Sequence, residues 1–161
     1  MPVNLNGDEW DVEQDQPGFR WKRLRVGRRL GGELLGASVY ELPPGERAFP
    51  YHLHHGNEEL LVVLEGRLAL RTPRGTEELA AGDAELFRRG PDGAHQVTAV
   101  GERPARFLIV STMVTPDITE GPDGGKVGLF AGAAPGGENA TLKAFLRRDA
   151  EAGYFDGEPT G

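Results

Sequence analysis

Glycine and proline interrupt this sequence so often that no apolar run exceeds the length of a short strand. They occupy 24 and 12 of the 161 positions, and they punctuate segments rich in leucine, valine and phenylalanine. Many short strands joined by tight turns suit this pattern better than a helical bundle, so the expected fold class is all-β. The longest apolar run, Leu60–Leu64, falls far below the ~20 residues that a membrane helix requires. A chain of 161 residues suits one domain spanning 1–161, because a second core would leave each half too short to bury enough apolar surface.

The first 18 residues are polar and acidic, with apolar points at Val3, Leu5, Trp10 and Val12, and read as an arm that packs on the main body. Strands are expected at Phe19–Val26, Gly36–Leu42, Glu59–Leu64, Arg67–Thr72, Ala84–Phe87, His95–Val100 and Ala105–Val114. Strand after strand with no intervening helix indicates a sandwich or barrel, with a core at about 19–114. Glu59–Leu64 and Arg67–Thr72 read as a hairpin about Glu65-Gly66, and His95–Val100 is expected to pair with Ala105–Val114 across Gly101–Pro104. Leu60–Leu64 is apolar on both faces, which implies cover from the interior and from a second sheet or subunit. A homodimer is expected on that ground. Residues 115–140 are rich in Gly, Pro and Asp and read as loops. Thr141–Ala150 spaces Leu142, Phe145 and Leu146 helically after a cap at Thr141, so a short C-terminal helix is expected in a loop-rich tail over 115–161.

The absence of cysteine excludes disulfides, zinc ribbons and thiolate nucleophiles, and leaves nitrogen and oxygen as the only donors for a metal. A formal charge of −7 repels phosphate backbones, and the basic cluster Arg20–Arg29 is too local to offset it. Nucleic acid is therefore not an expected partner, and the short N-terminal region has no room for a helix-turn-helix. Residues 1–15 carry Asp8, Glu9, Asp11, Glu13 and Asp15 with no apolar run, unlike a secretory leader, so a cytoplasmic location is expected.

Three of the four histidines, His52, His54 and His55, fall within four residues, next to Glu58 and Glu59. In an extended strand, residues two apart share a face, so His52 and His54 lie side by side while His55 points away. Alone, such a pair is more often polar surface or a hydrogen-bonded couple than a metal site. Glu59 opens the next apolar strand, and its carboxylate completes a cluster of three if that strand lies beside the first. His95 opens a later strand and is the candidate for a fourth ligand. Glu58 competes with Glu59 but more naturally faces solvent.

His52-Leu53-His54, then four residues, Glu59, six residues and Gly66 resemble the first motif of the cupin superfamily. Pro43-Pro44-Gly45 stands near the position of that motif's leading glycine. Gly82-Asp83 followed by His95 resembles the second motif, with Arg88 where proline is usual and Ala99 where asparagine is common. The segments around His95 and at Pro122–Gly128 look similar to small bacterial single-domain cupins. The resemblance implies a double-stranded β-helix, or jelly-roll barrel, whose interior holds one metal on His52, His54, Glu59 and His95.

Three imidazoles and a carboxylate suit one divalent transition metal, Fe, Mn, Ni, Cu or Zn. Four protein ligands in an octahedral site leave two positions for a small molecule or dioxygen. A metal-dependent small-molecule enzyme is therefore expected, with a dioxygenase-like oxidoreductase foremost and isomerase- or hydrolase-like chemistry beside it. The alternative is a non-catalytic module that binds a metal or small ligand. Parity turns Leu61, Val63, Leu68, Leu70, Val97 and Ala99 inward, which predicts an apolar lumen and a small, largely apolar ligand. Tyr40, Arg47 and Ser111 are polar handles without an assigned role. Gly124-Gly125-Lys126 lacks the full pattern of a phosphate loop. Ser38, Ser111 and Thr112 have no spare histidine as base, which disfavours a Ser/His/Asp hydrolase.

Overall fold

The computed structural model describes residues 1–159, and its regular structure is almost entirely antiparallel β. The strands are β1 (Val12–Gln16), β2 (Phe19–Leu24), β3 (Leu35–Leu42), β4 (Leu53–His54), β5 (Glu59–Glu65), β6 (Arg67–Thr72), β7 (Gly75–Ala80), β8 (Ala84–Phe87), β9 (Gln96–Ala99), β10 (Ala105–Thr112), β11 (Asp117–Gly121), β12 (Lys126–Ala131) and β13 (Leu142–Arg147). They form a six-stranded sheet in the order β1-β2-β3-β10-β5-β8, a four-stranded sheet β13-β12-β11-β4 and a three-stranded sheet β7-β6-β9. The all-β jelly-roll expectation holds. Among the described residues, no helix is long and apolar enough to cross a membrane.

Inward parity holds as well. Leu61, Val63, Leu68, Leu70, Val97 and Ala99 are all buried, and with Leu42 and Phe107 they form one apolar cluster. Burying each of the valine, leucine and phenylalanine side chains stabilises the fold by roughly 1.5–3 kcal/mol. The six residues close this core instead of lining an open lumen.

Strand pairing departs from the expected hairpins. β5 pairs with β10 and β8, whereas β6 pairs with β7 and β9. The turn at Glu65-Gly66 therefore carries the chain from one sheet to another. Gly66 has φ +77°, and an added Cβ would sit 2.8 Å from Pro104 O, so this corner needs both the left-handed backbone and the missing side chain. Likewise, β9 pairs with β6 while β10 pairs with β3 and β5, so Gly101–Pro104 is a second crossing between sheets. A turn signature marks a reversal of the chain without saying which strand the returning segment joins.

Two further expectations are corrected. The strand expected at Phe19–Val26 ends at Leu24, and a single helical turn, α1 (Val26–Arg29), follows it. Within residues 115–159 the helix expected over Thr141–Ala150 is absent: Leu142–Arg147 is a strand, paired in register with Ala131–Lys126 of β12, and Asp117–Gly121 and Lys126–Ala131 are strands where loops were expected. Phe145 packs edge-on against Phe130, ring centroids 5.7 Å apart, so an unsatisfied strand edge and an aromatic partner override the helical spacing. Through β11, this sheet reaches β4, which carries His54.

The N-terminal arm packs as expected. Val3, Leu5 and Trp10 cover Leu24, Val26 and Val39 together with Leu64 and Leu108 on the outer sheet face.

Candidate metal centre

β4 is only two residues long, yet it is anchored on two sides. Thr119 and Glu120 of β11 pair with His54 and Leu53. His52 and His95 exchange backbone hydrogen bonds, His52 N to His95 O at 3.1 Å and His95 N to His52 O at 2.9 Å. The two segments that supply the histidines are thus stitched together by their main chains.

The ligand atoms of His52, His54 and Glu59 lie within 4.8 Å of one another. His54 Nε2 is 3.6 Å and His95 Nε2 is 3.3 Å from Glu59 Oε2, and the His52 and His95 ring centroids are 4.6 Å apart. His55 points away, bonded to Glu120 at 2.7 Å on the exposed side. Glu58 is exposed, its backbone N–H donating to Thr112 Oγ1. His52 and His54 thus face the cluster and His55 faces away, as strand parity predicts, and Glu59 joins them while Glu58 does not.

The opposite edge of each inward imidazole is engaged. Nδ1 of His52 donates to Pro50 O at 3.0 Å, Nδ1 of His95 to Gly93 O at 2.9 Å, and Nδ1 of His54 to Asp117 Oδ2 at 2.7 Å. Because all three partners are acceptors, each Nδ1 carries the proton, and each Nε2 keeps a lone pair available to a cation. The Nε2 of His95 is buried with no hydrogen-bond partner among the described residues, an unsatisfied acceptor of the kind that a metal ion completes. The donors present therefore fit a divalent transition metal.

Electrostatics favour the same protonation pattern. Burial, with the neighbouring His95, pushes the His52 pKa down to about 3 against the attraction of Glu59. Burial pushes Glu59 upward, but His95, His54 and His52 outweigh it and bring its pKa to about 2. His54 moves the other way: burial lowers it, and the Asp117 contact and Glu59 raise it more. A neutral His52 and an ionised Glu59 are the states that metal binding requires.

Phe87 stacks on His95 with ring centroids 3.7 Å apart and planes within 5°. Phe49 meets His52 edge-on at 4.7 Å. Phe87 belongs to the buried core, whereas Phe49 lines a cavity that opens at the cluster. The cavity measures about 610 Å³ and is bounded by residues of β2, β3, β10, β11 and β12 and by the loop around Pro135–Glu138. Tyr40, Ile109 and Phe130 line it, while Arg23, Arg25 and Arg28 bring charge to its wall. The expected apolar character holds for part of this surface only. Tyr40 and Ser111 face the cavity, whereas Arg47 lies elsewhere, over the Phe19 ring. Burial raises the Tyr40 pKa, so its hydroxyl keeps its proton.

Residues 38–111 match the family described as Cupin domain. That segment is a cupin domain. Among solved structures, this cupin is similar to a putative sugar phosphate isomerase from Acidithiobacillus ferrooxidans, with a TM-score of 0.73 and 22% identity over 84% of this chain and 81% of that one. A sugar phosphate isomerase of the cupin superfamily from Silicibacter pomeroyi aligns with a TM-score of 0.72 and 26% identity, over 81% and 78% of the two chains. A predicted oxalate decarboxylase from Thermotoga maritima shares the fold at a TM-score of 0.52 and 20% identity, over 59% of this cupin and 82% of that chain. A comparison with curated protein sequences finds no significant match.

Sequence reasoning missed Asp117, which lies 63 residues from His54 in a stretch read as loop, and the aromatic pair Phe49 and Phe87. It registered the basic cluster Arg20–Arg29 only as surface charge.

Proposed function

We propose that this cupin is a metal-dependent enzyme acting on a small organic molecule, with one divalent transition metal held by His52, His54, Glu59 and His95. The observation that carries this reading is the triad of Nδ1 contacts, which leaves three imidazole lone pairs beside one carboxylate. Bound there, a divalent metal supplies Lewis acidity toward substrate oxygens. Asp117 orients His54, Phe87 covers one face of the His95 ring, and the protonated Tyr40 hydroxyl offers a hydrogen bond within the cavity.

Isomerase-type proton transfer next to a carbonyl fits the pocket better than the dioxygenase-like chemistry that the sequence foregrounds. Arginines on the cavity wall suit a polar, oxygen-rich substrate more than an apolar one. The likeness to the Silicibacter pomeroyi sugar phosphate isomerase, at 26% identity, supports the same choice. The experiment is to load the protein with each candidate metal and supply small hydroxy-carbonyl compounds in deuterium oxide. Metal-dependent deuterium incorporation at carbon is the expected result. Oxygen uptake instead would favour the dioxygenase, and silence in both assays would favour a binding module without turnover.

A homodimer belongs to the same reading. Leu60 and Leu86 pair across β5 and β8 and remain 38% and 50% exposed on the outer sheet face, beside the part that the N-terminal arm covers. A second copy would bury them.

A further inference from the structure

The stretch Arg20–Arg29 holds six cations, Arg20, Lys22, Arg23, Arg25, Arg28 and Arg29. Three have carboxylate partners away from the cavity: Arg20 with Asp15 and Glu46, Lys22 with Glu41, and Arg29 with Glu9 and Asp11. The other three turn to the cavity that His52, His54 and Glu59 also line. Alternation along β2 places Arg23 on the inner side with Trp21, opposite Tyr40 of β3.

These three guanidinium groups are under-neutralised. Arg23 has no carboxylate partner among the described residues. Its Nε donates to Ser38 Oγ at 2.9 Å, and its guanidinium lies 5.4 Å from the Tyr40 ring centroid. The Nε of Arg25 is buried without an acceptor, and an Arg25 terminal nitrogen stands 3.7 Å from Glu138 Oε1, an oxygen that Arg28 also contacts. One carboxylate therefore serves two arginines, and a third arginine has none. The loop bearing Glu138 approaches closely: Gly136 has φ +82°, and a Cβ there would sit 3.3 Å from an Arg23 terminal nitrogen.

Arginine's planar fork matches phosphate oxygens two at a time, and a guanidinium is less strongly hydrated than an ammonium, so several of them at one cavity wall favour a multivalent anion. Glu33, Glu59 and Glu120 also line the cavity but make no ion pair with these arginines among the described residues, and Glu138, a monoanion, does not balance them; a phosphate brings about two charges and three acceptor oxygens. We propose that Arg23, Arg25 and Arg28 form the anion-binding end of the cavity, and that the substrate is a small phosphorylated compound whose opposite, oxygen-bearing end faces His52, His54 and Glu59. The placement of that opposite end rests on the metal reading above; the phosphate end rests on the arginines alone. A cavity of about 610 Å³ suits a ligand of this size.

Calorimetric titration tests it with D-ribose 5-phosphate, D-ribose, D-ribonate and inorganic phosphate, on metal-loaded and metal-stripped protein. Ribose 5-phosphate is expected to bind more tightly than ribose by at least about tenfold, and inorganic phosphate to bind the metal-stripped protein as well. Arg23→Met and Arg25→Met should each weaken phosphate binding by about tenfold while metal content, read by elemental analysis, stays unchanged. Equal affinity of the wild-type protein for ribose and ribose 5-phosphate would overturn the proposal without any variant. Ribonate matching ribose 5-phosphate would overturn the choice of phosphate. Unaltered phosphate affinity in folded arginine variants would overturn the residue assignment. Failure of the metal reading would look different, as absent metal with phosphate binding intact.

Discussion

Asp117 Oδ2 accepts a hydrogen bond of 2.7 Å from His54 Nδ1, while Asp117 Oδ1 accepts the backbone N–H of Gly56, also at 2.7 Å. One carboxylate thereby fixes both the tautomer of His54 and the chain just beyond it. Burial pushes the Asp117 carboxyl up, but hydrogen bonds from His54, Asn57 and Gly56 and the charge of the neighbouring imidazole outweigh it and hold the carboxyl below the usual carboxylate range, so it stays ionised. Replacing Asp117 by Ala frees the His54 ring and removes its countercharge. Metal affinity is expected to fall about 10–100-fold, measured by competition with a chelating dye, while far-UV circular dichroism stays native.

Phe87 joins the core cluster and stacks on His95, so packing and site share one side chain. Phe87→Ala is expected to cost about 3–5 kcal/mol of stability, read from urea unfolding. The variant should also bind metal more weakly, because His95 loses the ring that holds its plane.

Acid should destabilise the metal-free protein. The unfolded chain protonates His52 at its ordinary pKa of 6.5, whereas the native state resists until about 3. Stability therefore falls with decreasing pH across that window, with a slope of about 1.4 kcal/mol per pH unit for the one proton. Glu59 adds a second loss between its ordinary 4.5 and about 2. His54, whose pKa is raised, contributes stability that is fully present below 6.5 and is lost only as pH rises through its folded value. Thermal melts from pH 8 to 4 should show this decline, and His52→Gln should flatten its upper part.

Leu60 and Leu86 test the oligomer. Light scattering is expected to report a dimer for the wild-type protein and a monomer for Leu86→Arg, since a buried, unpaired guanidinium disfavours the interface.

The sequence makes the local geometry of the site legible because strand parity is a local rule. His52 and His54 share a face and His55 faces out by the period of two, while the choice of Glu59 over Glu58 comes from its spacing to Gly66 in the motif. Asp117 is not legible, because nothing near it in the chain signals that β11 will lie against β4. The crossings at Gly66 and Gly101 are hidden for a related reason: turn residues encode a reversal, while partner choice depends on the whole barrel. Leu142–Arg147 carries helical spacing, and only the open edge of β12 turns it into a strand. The arginines of residues 20–29 are visible as charge, but their division between surface and cavity follows from where β2 ends.

The most direct test of the metal centre is elemental analysis of purified protein beside His52→Ala and Glu59→Gln, each checked for folding. One divalent transition metal per chain in the wild-type protein, lost from both folded variants, is the predicted result. A wild-type protein that retains no metal after exposure to Fe, Mn, Ni, Cu and Zn in turn, or variants that keep the full equivalent, would contradict a cation shared by these side chains.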